Sequence, residues 1–350
     1  MATSARAVWF VEPRHAELRE ETVGAPGERE VRVTALVSLV SAGTEMIGYR
    51  GEVASPSEVD LPTRGGEFPF PLKFAYQVVG RVEEAGPESG FAAGDTVFCY
   101  HPHQERFTTP VAAGGGNELA TGAWPLVFRV PDDLDVEKAA FANLFCVAYN
   151  CLLDVPVRIG DCVVVSGLGV IGSICAFLAR TTADRLVLVD PLEARRERAR
   201  WIGADAVVHP AEAADAIAEL FEGRGADVYV EASGAPAAVQ AALAGTGQEG
   251  TIGIVSYYGK KPVTVVLSPE FHLRRQRIVS SMVSSIGSGL QPRWSLERRM
   301  AVAMRRLRTL EIGNLVTHRI PFDDAVRAYE LIDTHPEDSL GVLLDYRGAP

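Results

Sequence analysis

The sequence predicts an α/β protein in which a doubly wound parallel sheet is joined to a second, β-rich domain. From Cys162 onward, continuous apolar strands alternate with helical segments, as in a parallel sheet that is covered on both faces. The first third instead holds short β-branched or alternating runs separated by Gly and Pro, which indicates strands. The chain has 350 residues, and because a domain takes about 150, the length also suggests two domains.

The predicted elements follow in order along the chain. The first third contains strands at Ala5–Val11, Val31–Ser38, Gln77–Glu84 and Thr96–Tyr100. A helix over Val136–Leu153 has apolar residues at helical spacing. The alternating part then has strands at Cys162–Ser166, Arg185–Asp190, Ala206–His209, Asp227–Ala232, Thr251–Ser256 and Arg277–Met282, with helices at Ile171–Arg180, Glu193–Ile202, Ala211–Phe221 and Pro236–Ala244. The tail breaks this alternation, with helices near Leu296–Leu310 and at Phe322–Ile332 and strands near Leu315–Ile320 and at Gly341–Tyr346.

Charge and cysteine content narrow the possible partners and compartment. The net charge of −11 argues against nucleic acids and anionic membranes, since both need clustered Lys and Arg. Cys162–Ala179 is uncharged, but Gly and Ser interrupt it, so a strand, a turn and a helix explain it better than a membrane span. The five cysteines form no CxxC pair and suggest neither a disulfide framework nor a zinc lobe. We therefore expect a cytoplasmic protein.

A glycine-rich turn predicts a dinucleotide site. The GxGxxG pattern follows a buried strand and opens a helix, where a tight turn and a free helix N-terminus receive a pyrophosphate. The next strand ends in Asp190, 23 residues beyond the first glycine and suited to binding ribose hydroxyls. A carboxylate there would repel a 2′-phosphate, so NAD is favoured over NADP, although Arg195 and Arg196 on the following helix, expected to be solvated, would soften that preference. The cofactor-binding residues of the turn are Gly167, Leu168, Gly169, Val170, Ile171 and Gly172.

Several segments together resemble the medium-chain dehydrogenase/reductase superfamily, the zinc alcohol dehydrogenase fold. They include Gly43-Thr44-Glu45, Val79-Gly80-Arg81-Val82, Gly94-Asp95-Thr96-Val97, the GxGxxG helix, Glu231-Ala232-Ser233-Gly234 and His318-Arg319-Ile320-Pro321-Phe322. The resemblance implies a GroES-like β-barrel catalytic domain over 1–140, a Rossmann NAD-binding domain over 141–285 and a return to the catalytic domain over 286–350. It also implies an active site in the cleft between the domains and a homodimer formed through edge strands of the Rossmann sheets.

The departures from this family concern zinc. By resemblance, Ala42, Tyr76 and Asn143 stand where zinc members carry their three ligands. Zinc is bound by Cys, His and carboxylate side chains, which these residues do not supply. We therefore expect no zinc and no other metal. Within the superfamily, Ser41–Glu45, Tyr76, Ser256–Tyr258 and Ser268–Phe271 look most like the branch that contains the dehydrogenase of the bacteriochlorophyllide hydroxyethyl side chain.

Without zinc, side-chain donors must handle the proton that accompanies hydride transfer. Thr44 stands by resemblance at the position of the proton-relay hydroxyl, and Tyr76 is a candidate acid or oxyanion donor whose pKa Lys73 would lower. The alternative for Tyr76 is a packing residue that fills the vacated metal pocket.

His101 and His103 are further catalytic candidates, since the pKa of histidine lies nearest neutrality. Two alternatives stay open for them: a solvated loop, or a relocated metal site that uses Cys99 as well. By resemblance, Ser233, Ser256 and Tyr257 complete the cofactor site, and Lys73, Gln77, Asn143 and Tyr258 line the substrate pocket.

The functional prediction is an NAD-dependent, zinc-independent enzyme that interconverts a secondary alcohol and a ketone on a small or cyclic metabolite. One alternative is an NAD(P)H-dependent reductase of a conjugated C=C bond, such as an enone or quinone reductase. The other is a non-catalytic nucleotide-binding protein. Asp190 favours the dehydrogenase over the C=C reductase, because it favours NAD and enoyl reductases usually favour NADPH.

Overall fold

The computed structural model describes residues 3–114 and 123–348, and the chain divides into two compact units. Unit 1 comprises Met1–Asn143 and Ser295–Pro350, and unit 2 comprises Leu144–Trp294. The tail thus belongs to the unit formed by the first third, and the boundaries lie at 143 and 294 where the sequence suggested 140 and 285. No helix in the described ranges is both long and apolar enough to cross a membrane.

Unit 1 is built mainly from antiparallel strands. Its described strands are β1 (Thr3–Glu12), β2 (His15–Val23), β3 (Glu30–Val40), β4 (Gly65–Gly66), β5 (Leu72–Lys73), β6 (Val78–Ala85), β7 (Thr96–Cys99), β8 (Arg106–Pro110), β9 (Ala112–Gly114), β10 (Ala123–Pro125), β11 (Val127–Arg129), β18 (Val316–Pro321) and β19 (Gly341–Asp345). One sheet has the order β2-β1-β5-β4, another has β11-β7-β6-β3-β19-β18 with β8 also on β3, and β9 pairs with β10. Its helices are α1 (Thr44–Arg50), α2 (Val136–Ala140), α9 (Leu296–Leu307) and α10 (Ala325–Thr334).

The central strand β3 shows why this sheet forms. Buried Val31, Val33 and Val37 alternate with the more exposed Arg32 and Thr34, so one face enters the core and the other meets solvent. Its neighbours β6, β8 and β19 all pair with it in antiparallel register.

The helix predicted over Val136–Leu153 is interrupted. It is two helices, α2 and α3 (Ala142–Asp154), because Phe141 ends the first, its N–H bonding to the carbonyl of Lys138. The unit boundary falls within α3, between Asn143 and Leu144.

Unit 2 contains a six-stranded sheet in which every described strand pair is parallel. Its described strands are β12 (Cys162–Ser166), β13 (Arg185–Val189), β14 (Ala206–Val208), β15 (Ala226–Glu231), β16 (Thr246–Ile254) and β17 (Arg277–Ser280), and their order in the sheet is β14-β13-β12-β15-β16-β17. Its helices are α4 (Val170–Ala179), α5 (Glu193–Ala199), α6 (Ala213–Leu220), α7 (Pro236–Gly245) and α8 (Glu270–Leu273). The chain is therefore an α/β protein, as the sequence predicts.

The strand order places a switch point at the middle of the unit 2 sheet. The strands that follow β12 in the chain run first to one side, as β13 and β14, and then to the other, as β15, β16 and β17. The central strands are buried on both faces, and β12 is buried at all five residues. Ligands of such sheets bind beyond the carboxyl ends of the strands at the switch point, so the turn after β12 is where a site is expected.

Candidate functional site

The turn between β12 and α4 has the shape that a dinucleotide site requires. Gly167 has a φ of +90°, and a side chain there would lie 2.5 Å from the backbone nitrogen of Ser233. A Cβ on Gly172 would collide with the carbonyl oxygen of Gly167. A Cβ on Gly169 would meet nothing within 4 Å, so this glycine borders open space. The residues of the turn therefore fit a pyrophosphate at the N-terminus of α4.

Asp190 directly follows β13 and is tied to this turn. Its buried carboxylate accepts from the N–H of Leu168 at 2.7 Å and from that of Leu192 at 2.8 Å, one bond on each oxygen. A carboxylate oxygen can accept two bonds, so acceptor capacity remains for ribose hydroxyls. Arg196, which is partly exposed, also donates to the backbone carbonyls of Asp190 and Pro191 at 2.8 Å.

A buried carboxylate that the sequence reasoning did not single out lies at the end of β15. Glu231 is fully buried and accepts hydrogen bonds from Ser233, Ser256 and Tyr258. The structure thus brings together three of the predicted cofactor and pocket residues, at the carboxyl end of the parallel sheet. Tyr257 lies on the same loop after β16 and is half exposed. Leu168 is buried, and Val170 and Ile171 begin α4.

In unit 1, a hydroxyl cluster forms from Ser41, Thr44 and Tyr76. The Tyr76 hydroxyl donates to Ser41 Oγ at 2.7 Å, and the Thr44 side chain is close enough to affect the pKa of Tyr76. Burial, and then the charge of Glu45, raise the pKa of Tyr76 well above its usual value. Tyr76 therefore stays protonated near neutral pH and can act as a hydrogen-bond donor or an acid.

Lys73 does not play the part expected of it. Its ammonium donates to Glu21 Oε2 at 2.6 Å and to Gln104 Oε1 at 3.2 Å, and it lies over the ring of Trp9. The expectation that Lys73 lowers the pKa of Tyr76 is wrong, because that pKa is raised and Lys73 is not among its causes.

A buried glutamate in the same unit contacts a histidine and a tyrosine. Of these three residues, the sequence predicted only the histidine, His103, as a site residue. His103 Nε2 lies 3.1 Å from Glu45 Oε2, and the hydroxyl of Tyr329 donates to the same oxygen at 3.3 Å. All three side chains are buried. Glu45 Oε1 and His103 Nδ1 have no hydrogen-bond partner among the described residues. The sequence signal for Glu45 was its place directly after Thr44.

His101 is placed differently from His103. Its ring stacks on Phe107 with centroids 3.7 Å apart, and its Nδ1 lies 2.9 Å from the carbonyl oxygen of Pro102. Burial, and then the charge of Lys73, lower the pKa of His101 to about 3, so it is neutral over the physiological range. The alternative of a solvated loop is wrong for both histidines, because both are buried.

The three positions that correspond to zinc ligands by resemblance carry a poor donor set. Ala42 has no donor atom, the Tyr76 phenol is engaged with Ser41, and Asn143 accepts from the Tyr100 hydroxyl at 3.0 Å. These residues do not fit a zinc ion. Gln77, predicted for the substrate pocket, is fully buried; its amide nitrogen donates to the carbonyl of Leu39, and its Oε1 has no hydrogen-bond partner among the described residues.

A relocated metal site is not found where the sequence allowed one. Over residues 3–114 and 123–348, the one group of three His, Cys, Asp or Glu side chains with ligand atoms close together is the exposed set His335, Glu337 and Asp338, just after α10. Cys99, His101 and His103 do not form such a group, and burial raises the pKa of the Cys99 thiol.

Comparisons with known proteins agree with this architecture. A family model described as zinc-binding dehydrogenase matches residues 170–298. The D-guloside 3-dehydrogenase of Escherichia coli (strain K12) is 30% identical over 348 residues, covering 94% of this chain and 96% of that protein. The 2-desacetyl-2-hydroxyethyl bacteriochlorophyllide A dehydrogenase of Cereibacter sphaeroides is 27% identical over 346 residues, covering 97% of this chain and 98% of that one.

A solved structure shares the fold over the full length. A short chain alcohol dehydrogenase from Escherichia coli CFT073, in complex with NADH, matches with a TM-score of 0.76 at 17% identity, covering 98% of this chain and 99% of the other. With a relative 30% identical over nearly its whole length, the chain belongs to the zinc-type alcohol dehydrogenase-like, medium-chain dehydrogenase/reductase family of oxidoreductases.

Proposed function

We propose that this protein is an NAD-dependent dehydrogenase that interconverts a secondary alcohol and a ketone without zinc. Two observations carry the proposal: unit 2 holds an intact dinucleotide turn, and unit 1 holds a hydroxyl cluster whose member Tyr76 stands, by resemblance, at a zinc-ligand position. A bound nicotinamide would supply the hydride acceptor or donor. The chain must then bind the cofactor and handle one proton.

Cofactor choice rests on the glycine turn and Asp190. The open space at Gly169 and the N-terminus of α4 suit the pyrophosphate, and Asp190 retains acceptor capacity for ribose hydroxyls. A 2′-phosphate would meet the same negative charge, which supports NAD over NADP.

The proton is assigned to the hydroxyl cluster. The Tyr76 phenol is protonated near neutral pH, and by turning its hydrogen away from Ser41 it can donate to the oxygen of a ketone, whose alkoxide is a stronger base than a phenolate. In the oxidising direction, Ser41 and Thr44 can pass a proton among hydroxyls that both donate and accept. The charge of the buried Glu45 acts on Tyr76, and we assign Glu45 and the neighbouring His103 as the groups that accept this proton.

The substrate class rests on the relatives. D-guloside 3-dehydrogenase and (R,R)-butanediol dehydrogenase, by their names, act on secondary alcohols. The guloside enzyme is more similar to this chain than the bacteriochlorophyllide enzyme is. We therefore propose a small or cyclic polyol, of which a glycoside is one example, rather than a tetrapyrrole.

We also propose that unit 1 contains a GroES-like barrel and that the protein is a cytoplasmic homodimer. All five cysteines are free and buried, which supports a reducing compartment. The end strand β17 of the unit 2 sheet and its surroundings carry exposed apolar side chains, including Leu273, Ile278 and Met282. An exposed apolar edge of this kind supports strand pairing with a second copy.

The experiment that tests the activity is a turnover assay on the purified protein. NADH formation is followed with NAD⁺ and a panel of glycosides and vicinal diols, beside NADPH oxidation with conjugated enones and quinones. The proposal expects turnover in the first arm. Turnover in the second arm alone would favour the C=C reductase, and tight binding of NADH without turnover in either arm would favour the non-catalytic alternative.

A further inference from the structure

Glu231 is a carboxylate that the proposed chemistry does not use. It is the last residue of β15, and its side chain is fully buried. Burying a carboxylate costs free energy unless hydrogen bonds or charges compensate for the water it loses. The arrangement around Glu231 supplies that compensation.

Four donors surround its two oxygens. Oε1 accepts from the backbone N–H of Ser233 at 2.7 Å and from the Ser233 hydroxyl. Oε2 accepts from the Tyr258 hydroxyl at 2.5 Å and from the Ser256 hydroxyl. An ionised carboxylate is an acceptor only, and two donors on each oxygen suit that form. Burial, and then the hydrogen bond to Glu231, raise the pKa of Tyr258, which keeps that phenol protonated and donating.

These contacts come from neutral groups, so dipoles stabilise the carboxylate of Glu231 and none of these donors is a cation that would neutralise it. The same bonds fasten two loops to the end of β15. One loop carries Ser233, whose backbone packs against Gly167 of the dinucleotide turn. The other carries Ser256 and Tyr258 and follows β16.

The strand order shows which half of a dinucleotide this charge would face. Asp190, the ribose-binding candidate, lies at the end of β13 on one side of the switch point. Glu231 lies at the end of β15 on the other side. A dinucleotide whose pyrophosphate sits at the turn after β12 extends over both sides, so its nicotinamide half lies on the side of Glu231.

We propose that Glu231 sets the redox preference of the cofactor site, its fixed negative charge favouring the cationic nicotinamide ring of NAD⁺ over the neutral ring of NADH. The inference rests on the proposed function, because it requires a nicotinamide dinucleotide at this site. The two redox forms differ by one unit charge on the ring and share everything else, so a fixed charge nearby affects one form selectively. Tighter binding of NAD⁺ than of NADH would lower the reduction potential of the bound cofactor, because the oxidised form is stabilised more than the reduced one.

The test is a pair of dissociation constants, measured without substrate on the full-length protein. NAD⁺ and NADH are titrated by calorimetry into the wild type and into Glu231→Gln, which removes the charge at nearly constant volume. We expect the Kd for NAD⁺ to rise roughly tenfold relative to the Kd for NADH, as expected for loss of one charge interaction in a partly desolvated site. The matched control is Asp190→Asn, which alters the ribose contact common to both forms and so raises both constants together.

A second variant keeps the test decisive if Glu231→Gln does not fold. Tyr258→Lys places an ammonium beside the carboxylate and neutralises it, and we expect the same loss of NAD⁺ preference. If the wild type binds neither form, the proposed cofactor site itself is wrong. If the wild type binds both, and neither folded variant changes the ratio of the two constants by more than twofold, the role of Glu231 is wrong and the proposed function stands.

Discussion

Tyr76 is the residue on which the proposed acid–base chemistry depends. Replacing it with Phe keeps the ring, whose edge packs against Phe74, and removes the hydroxyl that donates to Ser41. We expect kcat to fall by about 10²- to 10⁴-fold, the usual range for loss of a general acid, with the Kd for NADH unchanged.

The control for this variant is Tyr49→Phe. Tyr49 is also a buried tyrosine of unit 1, but its hydroxyl donates to the backbone carbonyl of Arg14, outside the hydroxyl cluster. Removal of the Tyr49 hydroxyl should leave kcat within twofold of the wild-type value. Equal kcat values for the Tyr76 variant and the wild type would assign Tyr76 to packing.

His101 has a consequence for stability rather than catalysis. Its pKa of about 3 in the folded protein lies below the ordinary value of 6.5, so the unfolded chain binds the proton more readily. The contribution of His101 to the free energy of unfolding is therefore fully present above pH 6.5. It is lost as the pH drops from 6.5 towards 3, by about 1.4 kcal/mol per pH unit.

Urea denaturation at pH 6.5 and pH 5 measures this effect. Between these values the wild type should lose about 2 kcal/mol more than His101→Phe, which keeps the stack on Phe107 and cannot be charged. His15→Gln, at an exposed histidine of β2, should behave as the wild type. Parallel pH profiles for the wild type and His101→Phe would refute the neutral, buried state of His101.

At the scale of one element, the glycine turn separates stability from binding. Gly172→Ala places a Cβ against the carbonyl oxygen of Gly167 and should lower the free energy of unfolding by about 2 kcal/mol. Gly169→Ala adds a Cβ in open space at a φ of −67°, which alanine adopts readily, so stability should change by less than about 0.5 kcal/mol.

The same pair then differs in cofactor binding. Gly169→Ala should raise the Kd for NADH roughly tenfold or more, because the methyl group occupies the approach of the pyrophosphate. Denaturation curves and NADH titrations of the two variants provide the comparison. A Gly169→Ala protein that binds NADH as tightly as the wild type would show that the pyrophosphate does not approach this face of the turn.

Comparison of these elements shows which features the sequence could predict. The glycine turn was predictable because its residues are local and their backbone demands are intrinsic. The break at Phe141 was missed, since helical spacing continues through it. The role of Glu231 as the shared acceptor of several hydrogen bonds was not predicted, because two of its donors, Ser256 and Tyr258, lie 25 and 27 residues away in the sequence. Glu45 and His103 are 58 residues apart and are joined only by the fold.

At the scale of the whole molecule, the end strand β17 predicts the oligomeric state. Ile278→Lys places a charge on this exposed strand and should convert a dimer into a monomer of 37.6 kDa, as measured by light scattering. Ile159→Lys, at a nearly fully exposed isoleucine in the turn before β12, should remain a dimer. A wild type that is monomeric at micromolar concentration would remove the dimer from the proposal.

The central claim concerns the whole enzyme: hydride transfer to a nicotinamide without zinc. Ala42, Tyr76 and Asn143 provide no zinc-binding set, and the hydroxyl cluster is proposed to replace the metal in proton handling. The most direct measurement is the rate of alcohol-dependent NADH formation before and after exhaustive chelation, with zinc content determined by mass spectrometry on the same sample. We predict less than about 0.1 zinc per chain and an unchanged rate, since no metal takes part. One zinc per chain, with activity lost on chelation and restored by Zn²⁺, would contradict the claim.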